Sequence, residues 1–316
     1  MQRSPTSEDD TGFRSGFVAV MGRPNVGKST LINALMRQKI AAVSPRPQTT
    51  RRKQLGILTL ENAQVIFIDT PGLHVPRHKL GEAMNEAARE ALQESDLILF
   101  LVDVSQDPQE EDRLLANLLL EMGTRTPVIL ALNKVDLAVA EDLPDRQGFF
   151  MALMKRGDAR DENVIPVTIS ATTGKNLDKL VKEIIERLAQ GPSLYPEGQV
   201  TDLYERDIAA DLIREAALIH LRDEVPHGIT VRVDEFTERE DHGAFIAATI
   251  FVERESHKGI VIGQGGMMLK KIGTAARKEI EGMSERKVFL NLRVKVRKNW
   301  RDDEKFLRSS GYTGKI

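Results

Sequence analysis

The eight residues GRPNVGKS, Gly22 to Ser29, constrain the fold more than any other stretch of this chain. They follow a short β-rich apolar run, FVAVM at 17–21, and lead into KSTLINALM at 28–36, whose apolar residues recur at helical spacing. Two glycines, a lysine and a serine at these spacings between strand and helix read as a phosphate-binding loop. The glycines let backbone N–H groups crowd around phosphate oxygens, and the helix N-terminus adds a favourable dipole. Candidate nucleotide contacts are therefore Gly22, Arg23, Pro24, Asn25, Val26, Gly27, Lys28, Ser29 and Thr30, with Lys28 reaching the β and γ phosphates and Ser29 a Mg2+ ion. A chance glycine-rich turn is the competing explanation, and the flanking elements argue against it.

Further β-rich runs at 54–60, 64–68, 97–104, 127–132 and 164–169 alternate with helical patterns at 81–93, 110–122 and 176–189. Buried strands interleaved with helices predict an α/β domain, a mostly parallel sheet covered on both faces. The runs at 54–60 and 64–68 are too close for a crossover, so they should pair antiparallel, giving six strands with one antiparallel. Two more motifs fall at strand ends. DTPG, Asp69 to Gly72, puts a carboxylate opposite the phosphate loop, where Asp69 can hold Mg2+ through water and Thr70, Pro71 and Gly72 border the γ-phosphate. NKVD, Asn133 to Asp136, supplies Asn133, Lys134 and Asp136 for a base; a carboxylate accepts from both the ring N–H and the exocyclic amine of guanine, a donor pair adenine lacks. Ser170 and Ala171 follow the last strand, where a backbone N–H commonly meets the guanine oxygen. The expected cofactors are GTP and Mg2+.

At 316 residues, two domains are expected. The first fifteen residues read as a disordered tail, 16–190 as the nucleotide domain, GPSLYPEGQV within 191–201 as a linker, 202–298 as a second domain and 299–316 as a C-terminal tail. The chain has no cysteine, which excludes disulfides and thiolate zinc sites and suits a reducing compartment. The longest apolar run, LILFLV at 97–102, is too short to span a bilayer, so a cytoplasmic protein is expected. The net charge of −2 hides an asymmetry: Asp202 to His257 carries 14 acidic and 6 basic residues, Lys258 to Lys298 carries 3 acidic and 11 basic. A basic segment in a near-neutral chain is either a solvated face or a nucleic-acid surface.

That basic segment contains IVIGQGGMMLKKIG, residues 260–273. It fails as a dinucleotide fingerprint, since Met268 stands where the last glycine belongs, and as a second phosphate loop, since no Lys-Ser or Lys-Thr follows. The second domain reads helix, strand, strand, helix, glycine turn, helix, strand, over 203–221, 228–236, 244–253, 258–281 and 287–298. G-x-x-G between two helices in that order matches the backbone clamp of a type II KH domain, a smaller α+β fold. Gly263, Gln264, Gly265, Gly266, Lys270 and Lys271 are candidate contacts to a single-stranded RNA backbone. Arg293, Lys295 and Arg297 are added from one face of the strictly alternating last strand. The bland alternative is a helix junction that merely needs glycine.

With GRPNVGKST, PQTTRR, DTPG, NKVD and ISATTG in order, the chain resembles the translation-factor-related small GTPases, and specifically their Era branch, over about residues 16 to 313. The resemblance implies a GTPase in which Thr50, or its neighbour Thr49, closes on Mg2+ and the γ-phosphate; spacing leaves the two open, and Thr50 is taken. Lys28, Thr50 and Gly72 are then the catalytic set. Ras-like enzymes carry a water-orienting glutamine where this chain has Leu73, so slow intrinsic hydrolysis is expected. In the related family an asparagine equivalent to Asn25 helps bind K+, making K+ a further expected ion. His74 and His78 read as surface histidines rather than general bases. The resemblance also implies the biological target: the 3′ end of 16S rRNA during assembly of the 30S subunit, for a monomer with a peripheral contact to the inner face of the cell membrane. Two rivals stand beside this. One is a membrane-associated or cell-cycle signalling GTPase whose second domain binds protein; the other is an RNA-modifying enzyme, which the scattered His220, His227, His242 and His257 do not support.

Overall fold

The computed structural model describes residues 12–312 apart from 45, 47, 48, 73–75, 77, 123–125, 156–163, 224 and 239–242. The first domain runs β1 (Arg14–Met21), α1 (Lys28–Met36), β2 (Gln54–Thr59), β3 (Ala63–Asp69), α2 (Lys79–Glu94), β4 (Leu97–Asp103), α3 (Glu110–Met122), β5 (Val128–Asn133), α4 (Leu143–Leu153), β6 (Val164–Thr168) and α5 (Leu177–Ile185). Its six-stranded sheet has the order β2-β3-β1-β4-β5-β6, and only β2 runs antiparallel, to β3. Alternate residues of each strand enter different cores. Val18 and Val20 pack with Leu31 of α1 and Ile184 of α5, whereas Ala19 and Met21 pack with Leu92 of α2, Leu115 of α3 and Phe150 of α4. Burying each such large side chain contributes about 1.5–3 kcal/mol, so a strand covered on both faces, such as β4, fixes the middle of the sheet.

The sequence pattern gives no helix at 143–153. A proline in the first turn starts α4, but with Phe149 exposed and Phe150 buried the stripe is too narrow to register as periodicity. Residues 191–201 are held along the sheet's β2 edge. The Gln64 side-chain oxygen accepts from the backbone N–H groups of Leu194 and Tyr195, and the Ile57 N–H donates to the Val200 carbonyl. Covering an edge strand in this way removes unpaired backbone groups.

The second domain runs α6 (Glu205–His220), β7 (Thr230–Glu238), β8 (Ala244–Val252), α7 (Glu255–Ile262), α8 (Met267–Ser284) and β9 (Val288–Val296), followed by α9 (Glu304–Ser309). The sheet order is β7-β8-β9, with β7 antiparallel and β9 parallel to β8. A parallel pair needs a crossover, and α7 and α8 with the glycine turn between them are that crossover. Ile208, Leu212 and Ile213 of α6 and Ile272, Ala276 and Ile280 of α8 share one core with the inward residues of all three strands.

Residues 299–312, expected as a tail, fold back instead. Trp300 is fully buried and donates its indole N–H to the Gly228 carbonyl at 3.0 Å. Trp300, Phe306, Leu307 and Tyr312 form one cluster with Phe251 of β8 and with Leu80 and Met84 of α2, so the C-terminal segment joins the two domains. Four large side chains spread over thirteen residues bury enough apolar area to order the segment, which the surrounding charges conceal in the sequence.

Candidate functional site

The register of the first sheet brings its carboxyl-end residues together: Val20 of β1 lies beside Asp69 of β3, and Asp103 of β4 beside Asn133 of β5. The phosphate loop rises from β1 at this edge, where ligands of open α/β sheets bind. Gly27 sits at φ +103, and a Cβ there would stand 2.5 Å from the Asn133 amide nitrogen, so the loop and the base-binding loop meet through a glycine. Arg23 leaves the pocket, pairing with the fully buried Asp112 of α3 at 3.1 Å and anchoring the loop's outer side.

Lys28 is buried, and its ammonium donates to the carbonyls of Gly22 at 2.7 Å and Arg23 at 3.1 Å. Burial pulls its pKa down to about 8, opposed by the charge of Asp69 and assisted by that of Arg23. Gly72 borders the same space, with Lys28 Nζ 3.9 Å from where a Cβ of residue 72 would stand. Three oxygens converge beside it: Ser29 Oγ and Thr50 Oγ1 each donate to Asp69 Oδ2 at 3.0 Å and lie 3.1 Å apart. Asp69 Oδ1 is buried with no hydrogen-bond partner among the described residues, and burial raises this carboxyl's pKa above the usual range. A buried carboxylate oxygen in want of a partner, beside two hydroxyls, fits a small hard cation that keeps several waters. The geometry also separates the two threonines, since the Thr49 hydroxyl is turned to the Arg46 carbonyl at 2.9 Å. Thr70 caps the sheet edge by donating to the Val20 carbonyl.

Asn133 ties three loops. Its amide donates to the Val26 carbonyl at 2.7 Å, and its oxygen accepts the Ala171 N–H at 2.9 Å. The Ser170 N–H goes to the Lys175 carbonyl, so both amides expected at the base lie in its loop but already have acceptors there; Ala171 reaches a guanine oxygen only by sharing its bond. Lys134 borders the pocket and donates to Asp103 at 2.8 Å. Burial would raise the Asp103 pKa, but bonds from Lys134, Ser105 and Gln106 outweigh it and hold the carboxylate low. Asp136 is exposed at the end of this loop, open to a base. Gln48, Leu73, His74 and His242 lie outside the described residues, while His78 faces Asp302 of the C-terminal segment at 3.5 Å rather than the phosphate loop.

The second site is the turn at 263–266. Gly263, Gly265 and Gly266 all have positive φ, and Gln264 and Gly265 are exposed at the tip. A Cβ on Gly263 would stand 2.7 Å from the Met268 Cβ, so that glycine lets α7 meet α8, whereas a Cβ on Gly265 would meet nothing within 4 Å. Behind the turn a groove of about 450 Å³ runs between α8 and β9, lined by Gly266, Lys270, Gly273, Thr274 and Arg277 and floored by Leu269, Leu290 and Leu292. Lys271 points the other way along α8, toward His220, whose pKa burial and the Lys271 charge lower. The assignment of Arg293, Lys295 and Arg297 to the same surface needs correction. Strand alternation gives the groove side of β9 to Leu290 and Leu292, leaving Arg293 and Lys295 on the sheet's other face, where Phe289 stacks on Phe245. Arg297 is taken by the C-terminal segment, paired with Asp303 at 2.5 Å and lying over the Phe306 ring. Thr274 and Arg277 also line this groove, and the steps 266, 270, 273, 274 and 277 are one helix face legible in the sequence.

Both domains have counterparts among known proteins. Residues 17–134 match the family described as a 50S ribosome-binding GTPase, and residues 224–301 match the KH domain. The chain is 47% identical over 301 residues to the GTPase Era of Caldanaerobacter subterraneus subsp. tengcongensis, spanning 95% of this chain and 98% of that one. It is 48% identical over 305 residues to the GTPase Era of Geobacter metallireducens, spanning 96% and 99%. Among solved structures, Era in complex with MgGDPNP and nucleotides 1506–1542 of 16S ribosomal RNA aligns with a TM-score of 0.88 at 37% identity, over 96% of this chain and 100% of that one. A point variant of Aquifex aeolicus Era bound to GDP·AlF4− aligns with a TM-score of 0.87 at 38% identity, over the same shares.

Proposed function

Since this chain belongs to the Era family of GTPases, we propose that it is a GTP-operated switch that binds single-stranded RNA near the 3′ end of 16S rRNA and acts in assembly of the small ribosomal subunit, in the cytoplasm. Lys28 and the loop amides would hold the phosphates, Asp136 would select guanine, and Ser29, Thr50 and Asp69 would hold Mg2+, which supplies positive charge to the transferring phosphate. The observation that carries the reading is the convergence of the Ser29, Thr50 and Asp69 oxygens on one point beside Lys28, in a chain whose second domain presents an open glycine turn at the mouth of a basic groove. The 16S RNA in the aligned Era complex supports the small subunit. Crosslinking the GTP-bound protein to total cellular RNA and sequencing the footprint tests it: enrichment of the 16S 3′ end is expected, and a footprint no different from the GDP-bound protein contradicts it.

K+ belongs to the same proposal. Asn25, held at φ +64 on the rim of the phosphate loop, lines the nucleotide pocket, where an added monovalent charge would offset the negative charge developing in the transition state. Hydrolysis is expected to be several-fold faster in KCl than in NaCl of equal ionic strength. Equal rates would remove K+ from the mechanism.

A further inference from the structure

The loop between α1 and β2, which carries Thr50, makes much of its bonding across the boundary between the domains. At its start Lys39 lies 2.8 Å from the carboxylates of both Glu215 on α6 and Glu279 on α8, and the Val43 N–H donates to Glu215 at 3.0 Å. At its end Arg52 pairs with Asp207 and Asp211 of α6 at 3.3 and 3.0 Å, and the buried Arg51 donates to the Ile229 carbonyl at 2.8 Å. Between these anchors Arg214 of α6, only 2% exposed, donates to the Thr49 carbonyl, one peptide away from Thr50. A buried guanidinium is costly to leave without its acceptor, so this bond favours one placement of the Thr49–Thr50 peptide, the one in which the Thr50 hydroxyl meets Ser29 and Asp69. Three acidic residues of α6, Asp207, Asp211 and Glu215, are thus spent on Lys39 and Arg52 of this loop.

We propose that Arg214, a side chain of α6 in the second domain, is a positioning residue for GTP hydrolysis: by holding the Thr49 carbonyl it presents Thr50 to the Mg2+ and γ-phosphate. The inference rests on the switch reading above and supplies its route. The helix α8, which begins at the glycine turn, packs on α6 and contributes Glu279 to Lys39, so whatever binds the groove bears on the same grip.

The test uses the full chain without RNA. Arg214→Met keeps most of the buried side-chain volume and removes the donor. It is expected to lower kcat for GTP about tenfold and raise the Mg2+ concentration needed for half-maximal rate, with GDP affinity unchanged, because the threonine–Mg2+ contact belongs to the GTP state. Arg214→Lys is expected to recover part of the rate. In a Thr50→Ala background, Arg214→Met is expected to change kcat less than twofold, since its effect passes through Thr50. A wild-type kcat in folded Arg214→Met, or losses that multiply in the double variant, overturns the proposal. Should Arg214→Met not fold, Arg214→Lys carries the test: a partial, Thr50-dependent loss of kcat is expected, and a wild-type kcat overturns the proposal equally. Failure to bind RNA would count against the proposed function while leaving these outcomes intact.

Discussion

Replacing Asp136 by asparagine is expected to lower GTP affinity on the order of 10³-fold and to move the preference to xanthosine triphosphate. Asparagine keeps one acceptor for the ring N–H but turns a donor toward the exocyclic amine of guanine; xanthine carries an oxygen at that position and accepts it. The change leaves the site's frame intact, because Asn133, not Asp136, braces the phosphate loop at Val26 and the following loop at Ala171. Competition of labelled GTP by GTP, XTP and ATP measures it. Unaltered selectivity would show that the base is read elsewhere.

The second large effect concerns the glycine turn, whose glycines do different work. Gly265→Asp is expected to weaken single-stranded RNA binding on the order of 10²-fold, by setting a negative charge where a phosphate approaches. It should melt close to wild type: the site at φ +58 is open, and aspartate tolerates the left-handed region at a cost of about 1 kcal/mol. Gly263→Asp is expected to cost about 1–3 kcal/mol of stability, because its φ of 70° with ψ of 172° is a glycine conformation and the new Cβ would collide with Met268. RNA titration beside thermal melting separates the two, and a Gly265→Asp protein that binds RNA like wild type would move the binding surface away from the turn.

Much of this was legible in the sequence because local chemistry and global position agree there. GRPNVGKS, DTPG and NKVD each combine a strand pattern with residues that only a phosphate or base site needs, so both sheet and pocket could be read from them. What escaped depends on three-dimensional neighbours. Thr49 and Thr50 look alike in sequence, and the Arg46 carbonyl that takes the Thr49 hydroxyl is found only in the folded loop. Alternation along β9 shows which residues share a face but not which face the groove adjoins, and Arg293 and Lys295 stand on the face away from it. Trp300, Phe306, Leu307 and Tyr312 sit among charged residues without a period, and their partners, Leu80 and Met84, come from far earlier in the chain.

The loop that carries Thr50 is held by α6 and α8, and α8 lines the RNA groove, so GTP and RNA are expected to change each other's affinity by the same factor. The direct measurement is the Kd for a 16S 3′-end oligonucleotide with the protein loaded with a non-hydrolysable GTP analogue and with GDP, together with the ratio of analogue to GDP affinity with and without that RNA. RNA binding is expected to be tighter in the GTP state, by about 5- to 150-fold, with the same factor in the nucleotide ratio. Equal RNA affinity in the two nucleotide states would contradict it.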